Sequence, residues 1–305
     1  MISVVEADFS ARLRAAAMVW LDRRCTPDNP VVSRDELMNF QFDGHRIALL
    51  DYSRGIRKPA NMSVALSIVT TFTPENQRAP YEDAPGPDGL LRYKYQGDNP
   101  EQWDNVSLRR AHQLNIPLIW FYGVAPGLYL PRYPVWIVAD EPEQLQCAVA
   151  MDEEQQAIAA LGISAPQRRY VERMTRQRMH QPVFRERVIH AYATSCTICS
   201  LRHASLLDAA HILPDAHPDG VPSVTNGLAL CKIHHAAYDQ NILGIRPDYK
   251  VEIRHDILAE IDGPMLRHGL QEMQGATITL PHVRAERPNR EALAHRYAVF
   301  QAATA

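Results

Sequence analysis

Three cysteines and one histidine stand in two pairs between residues 196 and 234. The pairs are Cys196-x-x-Cys199 and Cys231-x-x-His234. Two such turns can close a tetrahedron of sulfur and nitrogen ligands around one zinc ion, with no position left open for water. We therefore expect a structural zinc site. His203 is an alternative to His234 as the fourth ligand. The alternative to a zinc site is a chance grouping of three buried cysteines with a surface histidine.

A second set of polar residues is interleaved with the first: His211, Asn226, His235 and Asp239. His235 and Asp239 are four residues apart, so on a helix they project from one face and can hold one cation together. A neutral His211 can take a proton from water, while a cation stabilises the charge that develops on a phosphate. The pattern predicts a metal-dependent phosphodiesterase site.

The order and spacing of these motifs resemble the HNH endonuclease family through residues 196–239. The motifs are CTIC, LDAAHI, NGLALC and HHAAYD. The resemblance implies a ββα-metal fold in which His211 is the general base, Asn226 pins the loop and orients that base, and His235 binds the catalytic ion. Asp239 falls where the family has a further ligand, and the ion would be Mg²⁺ or Mn²⁺.

The chain departs from the family pattern at Ala210, where the family has a metal-ligating His or Asp. In a short strand over 208–212, Asp208 lies on the same face as Ala210, two residues earlier. We expect Asp208 to serve as the substitute ligand. The alternative is a capping or surface aspartate.

A broader resemblance covers nearly the whole chain. The stretches LRYKYQG, PLIWFYGVAPGLYLPRYPV and NGLALCKIHHAAYD are similar to a group of predicted bacterial restriction endonucleases with a C-terminal HNH domain. This resemblance implies double-stranded DNA as the partner. We expect a homodimer, because one such site cuts one strand and a double-strand break needs two sites or two events.

Charge and composition limit the ways in which the chain can bind DNA. Its 305 residues have a formal net charge of −3 and a pI near 6.5, so any DNA contact must rest on a local basic patch. Residues 167–203 contain eight arginines and two glutamates. The candidates for phosphate contacts are Arg168, Arg169, Arg173, Arg176 and Arg185, although a solvated helix face would have the same composition.

No apolar run is long enough for a membrane span, and the first residues lack the order of a signal peptide. Three of the five cysteines belong to the predicted zinc site, which fits a reduced compartment. We expect a soluble cytoplasmic protein that does not contact a membrane.

The hydrophobic pattern predicts an α+β protein with an N-terminal domain over 1–150, a linker over 151–166 and a nuclease domain over 167–305. The first domain should begin with an amphipathic helix at 8–24, with its arginines facing solvent. A mostly β region, a bent sheet or partial barrel, should follow with runs such as RIALLDY and YPVWIVAD, a long loop at 74–89 and a helix near 99–115.

In the nuclease domain, an arginine-rich helix at 167–194, broken near Gln181-Pro182, should lead to Cys196. YKVEIR and ATITLP should form two strands before a last helix at 290–301.

The first domain is the natural candidate for choosing the target. A flipped base is held between aromatic faces, and the candidate residues are Tyr93, Tyr95, Trp103, Trp120 and Tyr122. Restriction endonucleases with PUA or SRA domains read modified bases in this way, and the family context implies such a domain here, with modified cytosine as the ligand. The alternative is that these aromatics pack in half-buried strands.

The function that the sequence favours is modification-dependent DNA cleavage. The rivals are a restriction enzyme specific for an unmodified sequence and a non-catalytic zinc-stabilised DNA-binding protein.

Overall fold

The computed structural model describes residues 4–74, 77 and 85–304 and divides the chain into two compact units, Met1–His180 and Gln181–Ala305. Most of the loop predicted at 74–89 lies outside the described residues. Within the described part of the chain, no helix is both long enough and apolar enough to span a bilayer. Each unit is α+β, as the sequence predicts.

The strands run in chain order as follows: β1 Val32–Ser33, β2 Gln41–Phe42, β3 His45–Arg46, β4 Ile56–Arg57, β5 Ser67–Thr70, β6 Leu91–Lys94, β7 Leu118–Ala125, β8 Leu128–Glu141, β9 Gln146–Ala150, β10 Leu207–His211, β11 Gly227–Cys231, β12 Leu243–Ile245 and β13 Val251–Ile253. The α-helices are α1 Val4–Arg24, α2 Arg34–Met38, α3 Trp103–Gln113, α4 Glu153–Leu161, α5 Ala165–Thr175, α6 Gln181–Ala191, α7 Lys232–Asp239, α8 His255–Ala259, α9 Pro264–Gly269 and α10 Arg290–Thr304.

Unit 1 (Met1–His180) is built on a curled sheet in the order β4-β5-β7-β8-β9-β6, with β1 added to β8. The long strand β8 makes the curl. One part of it pairs with β7 and β1, the other pairs with β9, and the register shifts in both ladders. Such shifts bend a strand and increase its twist. The predicted bent sheet is confirmed. Of the run RIALLDY, however, only Arg46 lies in a strand, as the last residue of β3, because the backbone amides of Ile47 and Leu49 donate to Phe40 and Leu37 outside the sheet.

Helix α1 covers one face of this sheet. Leu13, Ala17 and Leu21 are fully buried in a cluster with Ile119 and Phe121 of β7. The expectation that the helix turns all its arginines to solvent is wrong. Arg14 is 4% exposed and donates from Nε to the carbonyl of Pro117 at 3.0 Å, because a buried guanidinium needs acceptors.

The stretch between the sheet and the second unit is largely helical. Its sequence reads as a linker over 151–166, but α4 occupies most of it, and the side chain of Gln155 in α4 is fully buried. The arginine-rich segment forms α5, then a π-helical turn at Arg176–His180, then α6. The break precedes Pro182, which cannot donate to a preceding carbonyl. The division between the compact units falls at this break, after His180.

Unit 2 (Gln181–Ala305) places a hairpin and a short helix side by side. Strands β10 and β11 pair antiparallel, with Leu207 opposite Cys231 and His211 opposite Gly227. Helix α6 packs closely on this hairpin, since a Cβ on Gly227 would stand 2.4 Å from Cγ2 of Val188. Helix α7 follows β11 directly. The result is a ββα unit whose core includes Leu228, Leu230 and Tyr238.

The chain after α7 is only partly as predicted. YKVEIR contains β13, and α10 closes the unit. ATITLP is not a strand and makes a single bridge, Thr277 to Lys250. Its backbone bonds are divided, because Ile278 donates to Tyr249 while Thr279 donates to Thr197, so no continuous ladder forms.

Candidate metal centre and catalytic groove

Cys196, Cys199, Cys231 and His234 converge on one point in unit 2. Their ligand atoms all lie within 4.8 Å of one another, and among the described residues this is the one group of three or more His, Cys, Asp or Glu that satisfies this distance. Sγ of Cys199 is 3.9 Å from Sγ of Cys231, and Nδ1 of His234 is 3.1 Å from Sγ of Cys231. The ligands of a tetrahedral ion with bonds of about 2.0 to 2.3 Å are separated in this way. The cluster can therefore hold zinc.

His234 is oriented for metal binding by a bond that its sequence position does not reveal. Its Nε2 lies 2.8 Å from the carbonyl oxygen of Gly269 at the end of α9. The carbonyl only accepts, so Nε2 carries the proton and Nδ1 presents its lone pair to the thiols. His203, the alternative ligand, is exposed and lies outside the cluster.

The three thiols differ in how readily they ionise. A hydrogen bond from Cys231 outweighs the effect of burial and, with a second from His234, lowers the pKa of Cys196 to about 3. The same hydrogen bond to Cys196 raises the pKa of Cys231, and burial raises the pKa of Cys199. Because the thiolate is the form of cysteine that binds metal, Cys196 is the thiol best prepared to bind an ion.

His211 stands at the end of β10 with one ring face covered. Its ring stacks on Phe184 of α6, with centroids 4.0 Å apart and planes 15° apart. Burial, opposed by the charge of Asp215 and reinforced by the charge of His235, lowers the pKa of His211 below its usual 6.5. The imidazole is therefore mostly neutral at pH 7, as a general base must be.

The two nitrogens of the His211 ring differ in their surroundings. Nε2 is buried and lies 3.2 Å from Oδ1 of Asp215, within ion-pair distance but not aligned for a hydrogen bond. A carboxylate beside Nε2 favours the proton there, which leaves Nδ1 as the basic nitrogen. The sequence reasoning missed Asp215, which lies in the irregular segment after β10, where no periodicity predicts its direction.

Asn226 ties together the segment that follows His211. Its Oδ1 accepts from the amide of Leu213 at 2.9 Å, and its Nδ2 donates to the carbonyls of Leu213 and Val221 at 2.9 and 3.0 Å. Its main-chain oxygen accepts from Ile212. Because Asn226 is 4% exposed, the three side-chain bonds are shielded from water. This is the geometry that pinning the loop requires.

His235 and Asp239 project from one face of α7, as their spacing predicts. Nε2 of His235 is 3.4 Å from Oδ2 of Asp239, a separation that two ligands of one divalent cation can have. Asp208 lies elsewhere, with Oδ2 3.4 Å from Nδ1 of His235. The ligand atoms of Asp208, His235 and Asp239 therefore do not converge as those of the cysteine cluster do.

Two cations that the sequence reasoning did not select hold α7 at its ends. Lys232 donates to both carboxylate oxygens of Asp208 at 2.6 Å. Arg296 of α10 donates to the carbonyl of Tyr238 and to Oδ1 of Asn241, the latter at 2.6 Å, and its guanidinium lies 4.6 Å from the centroid of the Tyr238 ring. A cation at the C-terminus of a helix opposes the negative end of the dipole, so Arg296 steadies the turn that carries Asp239.

His211, His235 and Asp239 line one open groove. The lining includes His211, Asp215, His217, His235, Asp239, His295 and Arg296. The rings of His217 and His295 meet edge to face at 4.8 Å. Three imidazoles and one guanidinium beside His211 make a surface suited to a phosphate-bearing strand.

The arginines expected to contact DNA do not form one set. Arg168, Arg169, Arg173 and Arg176 are exposed in unit 1, where Arg168 pairs with Glu172 at 2.8 Å. Arg185 belongs to unit 2 and is half-buried. Its guanidinium donates to the carbonyls of Ala204 and Leu207, both at 2.9 Å, so it braces the turn before β10.

The aromatic residues expected to hold a base are also divided. Trp120 is fully buried, and its Nε1 donates to Oγ1 of Thr70. Tyr93 and Tyr95 are buried except where they line a cavity of about 270 Å³ in unit 1, while Tyr122 is half-buried and packs on Trp120. Trp103 is 44% exposed and lies under Arg54 at 4.8 Å.

Comparison with known proteins agrees with the geometry of unit 2. Residues 196–246 match the family model of an HNH endonuclease. Among solved structures, a modification-dependent TagI restriction endonuclease is similar at 16% identity, over 81% of this chain and 85% of that chain, with a TM-score of 0.30. That TM-score is too low to establish a shared fold. No curated protein matches the chain.

Proposed function

Because residues 196–246 form an HNH endonuclease domain, we propose that the protein is a divalent-metal-dependent DNA endonuclease of the restriction type, whose unit 1 directs it to modified DNA. The observation that carries the nuclease assignment is the groove in which the neutral base His211 lies near the His235/Asp239 pair. The predicted roles of these residues, and of Asn226, are part of the proposal.

In this proposal His211 takes a proton from the attacking water at Nδ1, while the negative charge of the nearby Asp215 favours the proton on Nε2. His235 and Asp239 would hold Mg²⁺ or Mn²⁺, and such an ion would stabilise the charge on the phosphate and on the leaving oxygen. Asn226 keeps the segment after His211 fixed. The cysteine cluster would hold zinc and so keep β11 and α7 in place, because its ligands Cys231 and His234 lie at their junction.

Unit 1 offers a cavity for a base. At about 270 Å³ it is slightly smaller than the roughly 300–1,000 Å³ typical of small-molecule sites, which suits a small planar ligand. Tyr93, Tyr95 and Tyr129 line it beside the polar side chains of Arg34 and Gln96. Nε of Arg34 is buried and has no hydrogen-bond partner among the described residues, so a ligand with an acceptor would satisfy it.

The surface beside this cavity is suited to a nucleic acid. Tyr52, at the cavity, is 79% exposed and lies 5.0 Å from the guanidinium of Arg34. Trp103 carries both Arg54 and Lys58 over its ring, at 4.8 and 5.3 Å. Aromatic rings next to cations favour stacked bases and phosphates. These features of the surface favour our proposal that the partner is double-stranded DNA with a modified cytosine.

The experiment is a cleavage panel on matched plasmids that carry cytosine, 5-methylcytosine or 5-hydroxymethylcytosine, each with Mg²⁺, Mn²⁺ or chelator. We expect cleavage of a modified plasmid alone, abolished by chelator. Equal cleavage of all plasmids would favour the sequence-specific rival. DNA binding with no cleavage under any condition would favour the non-catalytic zinc protein.

A matched pair of variants tests the cavity itself. Arg34→Ala should reduce the preference for modified duplex, measured as the ratio of dissociation constants for modified and unmodified DNA. Arg46→Ala removes an exposed arginine of the same unit that does not line the cavity, and it should leave the ratio unchanged. If Arg34→Ala keeps the full ratio, the base is read elsewhere.

One nuclease site cuts one strand, so a double-strand break needs two sites or two events. We propose a homodimer on DNA. Light scattering of the protein with and without cleavable DNA measures the mass of the complex, and a monomer on DNA that is cut on both strands would contradict this proposal.

A further inference from the structure

Asp208 reaches His235 at the nitrogen that Asp239 does not use. Oδ2 of Asp208 is 3.4 Å from Nδ1, whereas Oδ2 of Asp239 is 3.4 Å from Nε2. The lone pairs of the two ring nitrogens diverge in the ring plane, so one ion cannot bind both. From this geometry we infer that Asp208 is a positioning residue, which accepts the Nδ1 proton of His235 and so presents an unprotonated Nε2 to the catalytic ion.

The other contacts of Asp208 support this role. Lys232 donates to both of its carboxylate oxygens at 2.6 Å, so a cation already neutralises the group that would otherwise be a ligand. The side chains of Asp208 and His235 are similarly half-buried, 27% and 26% exposed, which lets the contact persist against water. The resulting chain of groups is Lys232, Asp208, His235 and then Asp239.

The neighbouring residue His234 is oriented in the same way, by an acceptor that holds the proton on one of its ring nitrogens. His234 presents Nδ1 to the cysteines because the carbonyl of Gly269 holds its Nε2 proton. His235 would be oriented in the opposite sense, with Nδ1 protonated and Nε2 free. Carboxylates and carbonyls that hold the second nitrogen of a ligand histidine typically tune metal affinity or activity by about 10- to 100-fold.

The proposed role differs from the one expected from the sequence, in which Asp208 replaces the ligand missing at Ala210. Ala210 is fully buried, so its face of β10 turns into the core of the unit and not into the groove. Asp208 escapes the core because it lies nearer the start of the strand, opposite Leu230 and beside α7. The expected place of a ligand is therefore closed, and Asp208 acts through His235.

The proposal rests on His235 being a metal ligand, and its first test does not depend on cleavage. Long-range ¹H–¹⁵N correlation spectra of the full chain, with ¹⁵N-labelled histidine and zinc bound, report the tautomer of each ring at a pH of about 8, above the usual imidazole pKa. We expect His235 to be protonated at Nδ1 in the unaltered chain and to lose that preference in Asp208→Ala. Asp208→Asn keeps an acceptor and should retain much of it.

The tautomer result decides the role of Asp208. A His235 ring protonated at Nε2 in the unaltered chain would overturn the proposal, and so would an unchanged tautomer in Asp208→Ala. Zinc content and the melting temperature, measured on each variant, show whether the unit is folded. Absence of cleavage with the expected tautomers would remove the proposed nuclease function and leave the positioning role intact.

Binding of Mn²⁺, followed by its electron paramagnetic resonance signal, gives a second readout. Asp208→Ala should weaken Mn²⁺ binding about 10- to 100-fold, and Asp208→Asn should weaken it less. Asp239→Asn removes a proposed ligand and should weaken binding more than either. If Asp208→Asn weakens binding as much as Asp239→Asn while the tautomer of His235 is unchanged, Asp208 is a direct ligand and the proposal fails.

Discussion

Two adjacent residues of α7 face entirely different environments. His234 is 2% exposed and completes a closed set of four ligands with three cysteines, whereas the side chain of His235 is 26% exposed at the edge of an open groove. Four protein ligands leave no position for water or a phosphate, but His235 and Asp239 leave most of an ion free. One short helix can therefore carry a structural ion on one side and a catalytic ion on the other.

The largest effect on stability should come from removing a ligand of the four-residue zinc site. Cys231→Ser removes a ligand at the junction of β11 and α7, and zinc binding in small zinc domains is associated with about 10–16 kcal/mol of apparent free energy. We expect loss of zinc and unfolding of unit 2, measured by metal analysis and thermal melting. His203→Ala is the matched control and should keep its zinc. A Cys231→Ser chain that melts like the unaltered one would contradict a structural role.

Removing the proposed base, His211, should affect cleavage and leave the zinc site unchanged. General-base catalysis contributes about 100- to 10,000-fold, so His211→Ala should lower the cleavage rate by at least about 100-fold. Zinc content, melting temperature and DNA affinity should stay close to those of the unaltered chain. Undiminished nicking would remove His211 as the base.

Asn226 links the stability of the groove to its activity. Asn226→Ala leaves the amide of Leu213 and the carbonyls of Leu213 and Val221 without their partner, at about 1–3 kcal/mol for each buried group that stays unsatisfied. We expect a lower midpoint of urea unfolding for unit 2 and slower cleavage, with zinc retained. An unchanged midpoint would mean that the segment after β10 is held by other contacts.

How far sequence alone predicts the site depends on how local each contact is. The zinc ligands and the His235/Asp239 pair follow from spacing, because a short turn and one helix turn fix where those side chains point. Asp215 and Arg296 were missed, because one lies in an irregular segment and the other reaches α7 from a helix 58 residues later in the chain. The spacing of residues in the sequence predicts contacts within one turn or one helix, but it does not predict contacts such as these.

The fold shows the same limit. Alternating apolar runs correctly predict β7, β8 and β9, since each has partners along its length. ATITLP also alternates apolar and polar residues but divides its hydrogen bonds between two neighbours. Arg14 lies on the buried face of α1 because backbone carbonyls are there to accept its donors. Neither outcome can be predicted from propensity, because both depend on distant backbone groups.

The smallest effect should be a shift in the pH dependence of cleavage when Asp215 is replaced by Asn. Burial lowers the pKa of His211 and the charge of Asp215 raises it, so the base is lost only as the pH falls below the usual histidine pKa of 6.5. In Asp215→Asn the raising effect is gone and the pKa falls further. The acid limb of the cleavage rate should lie below pH 6.5 and move to lower pH in this variant. An acid limb that moves upward would reverse the proposed electrostatics.

The assignment of these two neighbours to different ions is tested by comparing His234→Ala with His235→Ala for zinc content and nicking of a susceptible plasmid. We expect His235→Ala to keep one zinc per chain and its melting temperature but to lose cleavage, whereas His234→Ala should lose zinc and the fold of unit 2. A His235→Ala chain that still cleaves at the unaltered rate, or that loses its zinc, would contradict the assignment of these neighbours to two different ions.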